Sequence, residues 1–308
     1  MNKNKTLLPR QLGDAHIRLL RIYRVVIESG GFAAAEVELN ISRPAISLAI
    51  SELESLLKMK LCHRGRSGFS ITEQGEEVYQ STLQLLGSIE NFRAQMNAIN
   101  TDLVGELNIG ITDNLVTSEQ MRITRSLSAF KRRAPEVVIN IRMIPPNDIE
   151  SAVLNGKLHI GVVPELRTLP SLNYMHLYKE QSLLYCSEQH PLFQQELEVM
   201  SDDALVQYDA VVPSYPQSAE IKQQQKNLHA TATSTDREGI AFLILTGRFI
   251  GFLPTHFANR WHGQDKMRTV EAHSRFFHTN FSAITSKGAR SHLILDTYME
   301  ELKKTVED

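Results

Sequence analysis

A chain of 308 residues, 42% hydrophobic and 22% charged, has room for more than one buried core and the balance of an ordinary globular protein. It has no apolar run long enough for a transmembrane helix, and its start, MNKNKTLLPRQLGD, lacks the apolar segment of a secretory leader, so a cytoplasmic protein without a membrane partner is expected. The net charge of −2 hides an asymmetry, because residues 1–75 hold 11 Lys or Arg against 7 Asp or Glu, a basic excess placed where phosphate binding would use it.

In chain order, Asp14 to Ser29 reads as an amphipathic helix with Ile17, Leu20, Tyr23 or Arg24, and Ile27 near one face, closed by Gly30 and Gly31. From Phe32 to Lys58, apolar residues recur at helical spacing (Ala34, Val37, Ile41, Ala45, Ile46, Ile50, Leu53, Leu56, Leu57), with an interruption around Asn40 to Ser42. Asn40 suits a left-handed helix end, Ser42 suits an N-cap, and Pro44 falls in the first turn, where its missing N–H costs nothing. Small residues at Ala33, Ala34 and Ala35 permit a close helix crossing, so the stretch reads as a helix-turn-helix. Arg43, Pro44, Ser47, Leu48 and Ser51 then lie in the N-terminal half of the second helix, the part that enters the major groove.

Leu61 to Arg64 and Phe69 to Thr72 flank a turn containing Gly65 and Gly68 and read as a hairpin, with Arg64 and Arg66 placed beside the phosphate backbone. Thr72 opens a long helix with early acidic residues at its positive end. Along that helix Val78, Thr82, Leu85, Ile89, Phe92, Met96 and Ile99 alternate in steps of four and three, the spacing of a helix-to-helix seam, so a homodimer through this stripe is expected.

From Leu103 strands and helices alternate. Strands are expected at 105–111, 137–144, 158–163, 182–186, 210–213, 249–253 and 268–271, and helices at about 118–133, 149–155, 236–246 and 290–304, with a further one starting at Pro254. Two similar α/β halves with a largely parallel sheet imply a cleft between them. Ligands bind beyond the carboxyl ends of such strands, often at helix N-termini, which singles out Thr112, Asp113, Asn114, Asn147, Pro164, Glu165, Ser214, Ser234 and Thr235. Each is also an ordinary turn or capping type; their convergence is the signal. Helix N-termini at Thr112 to Asn114 and at Ser234 to Thr235 suit a polar or anionic small molecule.

Taken together, Glu28-Ser29-Gly30-Gly31-Phe32-Ala33-Ala34-Ala35, Leu39 to Ser47, Ile50-Ser51-Glu52-Leu53-Glu54 and Ile71-Thr72-Glu73-Gln74-Gly75 resemble the LysR-type transcriptional regulators, with Gly105-Glu106-Leu107 and Gly251-Phe252-Leu253-Pro254 as shorter matches further on. The resemblance implies a winged helix-turn-helix over 1–72, a dimerising linker helix over 73–101, and a periplasmic-binding-protein-like effector domain of two α/β subdomains, over 102–179 with 268–308 and over 180–267. It also implies promoter DNA as a partner, a homodimer or homotetramer, and Arg43, Pro44, Ser47 and Ser51 facing the groove, with Thr112 and Asn114 as the first wall of an effector site. The sequence departs from the family at Cys62-His63, where an aromatic-led pair is usual, at His159, where Asp is common, and at Pro146, where some members place Thr, so effector chemistry does not carry over.

Cys62 and Cys186 are too few and too isolated for a disulfide framework or a zinc site, and no metal or cofactor is expected. No nucleophile elbow, phosphate-binding Gly loop or dinucleotide fingerprint supports an enzyme, and His176, His190, His256 and His278 stand alone. A regulator without an effector, or an α/β binding or enzymatic protein carrying an accessory DNA-binding domain, remain the alternatives to an effector-responsive one.

Overall fold

The computed structural model describes residues 12–65, 68–98, 103–118, 122–195, 205–287 and 292–307. The chain divides into two compact units, one through Arg93 and one from Ala94.

The first unit holds α1 (Asp14–Glu28), α2 (Phe32–Leu39), α3 (Arg43–Leu57), the hairpin β1 (Cys62–Gly65) and β2 (Gly68–Ile71), and the start of α4 (Glu73–Ala98). Its core joins Leu19, Tyr23 and Val26 of α1 to Phe32 and Ala35 of α2, Ile46, Ile50 and Leu53 of α3, and Tyr79 and Leu83 of α4. The buried face of α1 is Leu19, Ile22, Tyr23, Val25 and Val26; of the expected stripe Tyr23 is in the core, Leu20 and Ile27 pack at its edge, and Ile17 is not part of it. Packing against both α2 and α3 gives α1 a broader apolar face than a single stripe.

The turn between α2 and α3 is built on Asn40 at φ 51°, ψ 40°, as its side chain permits. Ser42 is extended and makes no side-chain cap bond; the Arg43 N–H instead donates to Glu36 Oε1 at 3.0 Å, so the carboxylate of α2 caps α3. Val37 is 83% exposed, because the inner face of α2 is carried by Phe32 and Ala35, with Leu39 at its edge. Glu54 is buried at the end of α3 and accepts from Lys60 Nζ at 2.8 Å and from the Leu61 N–H at 3.0 Å. Burial raises its pKa, but these bonds outweigh burial and hold the carboxyl below its usual range. The Thr72 hydroxyl accepts from the Gly75 N–H at 2.9 Å and so caps α4.

The second unit is one twisted sheet flanked by helices. In chain order it runs β3 (Gly105–Ile111), α5 (Arg122–Arg133), β4 (Val137–Met143), α6 (Pro146–Leu154), β5 (Ile160–Pro164), β6 (Leu172–Ser187), β7 (Asp209–Pro213), α7 (Ala219–Gln225), β8 (His229–Ser234), α8 (Arg237–Leu245), β9 (Phe249–Pro254), α9 (Thr255–His262), β10 (Met267–Thr269), β11 (Phe276–Ser286) and α10 (Leu293–Glu307). The strand order is β4-β3-β5-β11-β6-β9-β7-β8, with β10 on β6. The outer triplets β4-β3-β5 and β9-β7-β8 are parallel, and each belongs to one half. Between them β6 and β11 run antiparallel, with a register shift at Phe281/Ser282, and pass from one half to the other.

Several expectations are revised. The strand expected at 182–186 is the end of the 16-residue β6. The helix expected at 118–133 is a 3-10 turn at Leu115–Thr117 followed by α5. The elements α7, β8 and β11 have no counterpart among the elements expected from the sequence. Strand β8, sequence HATATS, is an edge strand with little burial, and short polar residues leave no apolar alternation to read.

Candidate DNA-binding face and effector cleft

On α3, Arg43, Pro44 and Ser51 are exposed, Ser47 is partly exposed, and Leu48 is 69% exposed. The Ser51 hydroxyl donates to the Ser47 carbonyl at 2.9 Å. Across the hairpin, Arg64 of β1 stands opposite Phe69 of β2; Arg66 lies outside the described residues. On α4 the intramolecular face is Tyr79 and Leu83. Thr82, expected in the seam, is buried and its hydroxyl donates to the Val78 carbonyl. Val78 packs partly buried against the same core; beyond it Leu85 and Ile89 are partly exposed, Phe92 is 60% and Met96 42% exposed, while Ile99 lies outside the described residues.

In the second unit a small cavity of about 40 Å³, open to solvent, sits at the carboxyl ends of β5, β7 and β9. Its walls include Pro164, Leu166, Pro213, Ile221, Phe252 and Phe277, interleaved with Ser182, Tyr215, Gln217, Thr279 and Arg237. Burial pushes the Tyr215 phenol above its ordinary pKa.

Beside the cavity a chain of polar groups joins the halves. The Arg237 backbone N–H, the first of α8, donates to Asp113 Oδ2 at 2.6 Å, and Arg237 Nη1 donates to the Asp113 carbonyl at 3.2 Å. Arg237 Nη2 donates to Glu180 Oε1 at 2.7 Å. The other oxygen, Glu180 Oε2, lies 2.8 Å from His256 Nε2, and His256 Nδ1 lies 2.6 Å from Thr117 Oγ1. Asp113 and Thr117 belong to the loop after β3, Arg237 and His256 to the opposite half, and Glu180 to crossover strand β6. Burial works against the charge on Arg237, but the Glu180 carboxylate, with Tyr215 and Asp113, outweighs burial and holds the guanidinium protonated.

The residues singled out in the sequence scatter around this centre. Asp113 joins the network, and Asn114, at φ 63°, donates to Asp113 Oδ2 at 2.5 Å. Thr112 is buried, with an Oγ1 that has no hydrogen-bond partner among the described residues. Pro164 lines the cavity. Asn147 bonds its neighbour Asp148, Thr235 is exposed and donates to Asp236, Ser214 is exposed, and none of the three lines the cavity. The Ser234 hydroxyl accepts from the Asp236 N–H, and Asp236 in turn caps α8 by accepting from the Gly239 N–H at 2.7 Å. Sequence reading missed Arg237, Glu180, His256 and Tyr215; only the Asp236-Arg237 pair at a helix start hinted at one of them.

Residues 100–307 match the family described as LysR substrate binding domain, and residues 17–76 match the bacterial regulatory helix-turn-helix protein, lysR family. The chain is a LysR-type transcriptional regulator. Among relatives of this regulator, the HTH-type transcriptional activator BauR of Pseudomonas aeruginosa is 47% identical over 290 residues, covering 94% of this chain and 95% of the relative. The probable HTH-type transcriptional regulator LrrA of Synechococcus elongatus is 31% identical over 179 residues, 58% of this chain and 60% of the relative. Among solved structures, the LysR family regulator CbnR shares the fold with a TM-score of 0.65 at 18% identity, covering 95% of this chain and 99% of that one. Full-length CbnR complexed with target DNA matches with a TM-score of 0.65 at 19% identity, over 95% and 100% of the two chains. The regulator thus carries a DNA-binding and an effector-binding domain, and its role is that of a DNA-binding protein, not an enzyme. Among the described residues no helix is long and apolar enough to cross a membrane.

Proposed function

We propose that this regulator binds promoter DNA sequence-specifically as a homo-oligomer and that a small molecule in the cleft of its second unit modulates that binding. The observation that carries this reading is the cavity beside Arg237, where both halves contribute side chains to one polar network. A ligand acts only through its different affinity for two arrangements, and groups supplied by both halves are those whose spacing such arrangements change. The first N–H of α8 is taken by the protein's own Asp113, so a polar ligand would meet the Arg237, Tyr215 and Gln217 side chains that line the cavity rather than a free helix end.

On DNA, Arg43, Pro44, Ser47, Leu48 and Ser51 face base edges, and Arg64 and Arg66 contact phosphates; the stripe through Val78, Leu85, Ile89, Phe92 and Met96, partly exposed at Leu85 and Ile89 and exposed at Phe92 and Met96, pairs with a second copy. Because the 47% identical relative is described as an activator, activation is the direction proposed here. The test is a thermal-shift screen of the full-length protein against small organic acids, amino acids and aromatics, followed by footprinting with each compound that raises the melting temperature. An effector-responsive regulator gives at least one compound that both stabilises the protein and alters its footprint. Stabilising compounds that leave the footprint unchanged, or none at all, would favour ligand-independent binding instead.

A further inference from the structure

The outer face of α3 carries one large apolar side chain. Leu48 is 69% exposed, in the N-terminal half of the helix, and its neighbours one turn away, Pro44, Ala45, Ser51 and Glu52, are exposed as well. Pro44, Ala45 and Ser51 are too short to screen it, so the side chain is open to whatever this face meets. Leu48 adds nothing to the core of the unit, which α3 reaches through Ile46, Ala49, Ile50 and Leu53. A leucine offers a base edge neither a donor nor an acceptor. The major groove presents one apolar feature, the 5-methyl group of thymine.

We propose that Leu48 is a specificity-determining residue that packs on a thymine methyl, one thymine for each recognition helix seated in the groove. The proposal rests on α3 entering the major groove and adds which chemical group one of its side chains reads. Removing the methyl takes away one buried carbon, a loss of about fourfold in affinity, whereas phosphate contacts are indifferent to it.

The test uses the full-length protein and a duplex enriched from a randomised pool, with deoxyuridine replacing thymidine one position at a time. The wild-type protein should lose about fourfold at one thymine in each half of the site. Leu48→Ala should bind the unmodified duplex more weakly by a similar factor and be indifferent to deoxyuridine there. Leu48→Met, which keeps an apolar side chain, should retain the penalty, and unchanged helical circular dichroism in both variants excludes loss of fold. Selective binding with no thymine position sensitive to the methyl, or a penalty that persists in Leu48→Ala, overturns the proposal while leaving groove binding intact. Failure of the pool to enrich any sequence overturns both.

Discussion

Asp113 and Arg237, from opposite halves of the effector unit, are joined twice: a backbone N–H of Arg237 meets the Asp113 carboxylate at 2.6 Å and its guanidinium meets the Asp113 carbonyl at 3.2 Å. The protein's own carboxylate therefore stands at the helix end where an anion would bind. Asp113→Ala should free that N–H and loosen the contact between the halves. Faster amide exchange at the first turn of α8 in hydrogen-exchange mass spectrometry is the expected result; unchanged protection there would mean the contact is not what holds the halves.

Arg237 and Glu180 are both buried, and removing one partner leaves the other charge without its main compensation. Arg237→Ala should destabilise the effector unit by roughly 3–5 kcal/mol. The chain's single tryptophan, Trp261 in α9, reports this unit alone in urea titrations. A midpoint within error of the wild type would show that the pair contributes specificity without stability.

His159 and His292 pack with ring centroids 4.3 Å apart and planes tilted by 41°, and each Nδ1 accepts a backbone N–H, from Asn108 and Leu295. Burial, and then the neighbouring His292, press His159 down to about 4, and burial also lowers His292. Between the ordinary histidine value and about 4 the unfolded chain binds protons that the folded one refuses, so stability falls as pH falls through this window. From pH 7 to pH 5 the loss due to His159 is about 2 kcal/mol. His159→Asn, which keeps an acceptor for the Asn108 N–H, should flatten the pH dependence of the Trp261 unfolding midpoint; an equally steep profile in the variant would assign the slope to other groups.

Gly75 sits where a Cβ would lie 2.0 Å from the Leu61 carbonyl oxygen and 2.9 Å from Ile71 Cγ1, and its own carbonyl accepts from the Tyr23 hydroxyl at 2.9 Å. Gly75→Ala must push α4 off the hairpin, at a cost of about 2–3 kcal/mol to the first unit. DNA affinity and the helical signal should fall at lower temperature while the Trp261 transition stays in place. Coincident loss of both transitions would mean that the units unfold together.

Phe92 is 60% exposed in the middle of the α4 stripe, so a change there spares the monomer's core. Phe92→Glu places a charge in the proposed seam and should shift the mass measured by light scattering toward the monomer. An unchanged mass would move the oligomer contact elsewhere.

The parts legible in the sequence are those whose signal is local. The break at Asn40 to Ser42 and the Pro44 helix start need only a few adjacent residues, and the alternation from Gly105 onward repeats within short windows. The network at the cleft has no local signal. Glu180 meets Arg237 across 57 positions and Thr117 meets His256 across 139, and in sequence each is one more polar residue. Strand β11, FFHTNFSAITS, escaped because its polar residues interrupt the apolar pattern of a strand between two others. The expected open helix ends missed that Asp113 comes to one of them from the other half.

Both connections between the halves are neighbouring strands, β6 and β11, hydrogen-bonded along Leu172 to Leu183 and Phe276 to Ser286 with one register shift at Phe281/Ser282. A two-stranded ribbon resists shear in its own plane, because sliding breaks many bonds at once, but yields readily to torsion, and a bulge increases its coil. The second half is also one continuous stretch returned to the first beside its point of departure, as a flag is held to a mast by a single flat strap. A rotation of one half against the other would therefore cost least as a turn about the strap, and it would have to break the contacts of Asp113 with Arg237 and of Thr117 with His256.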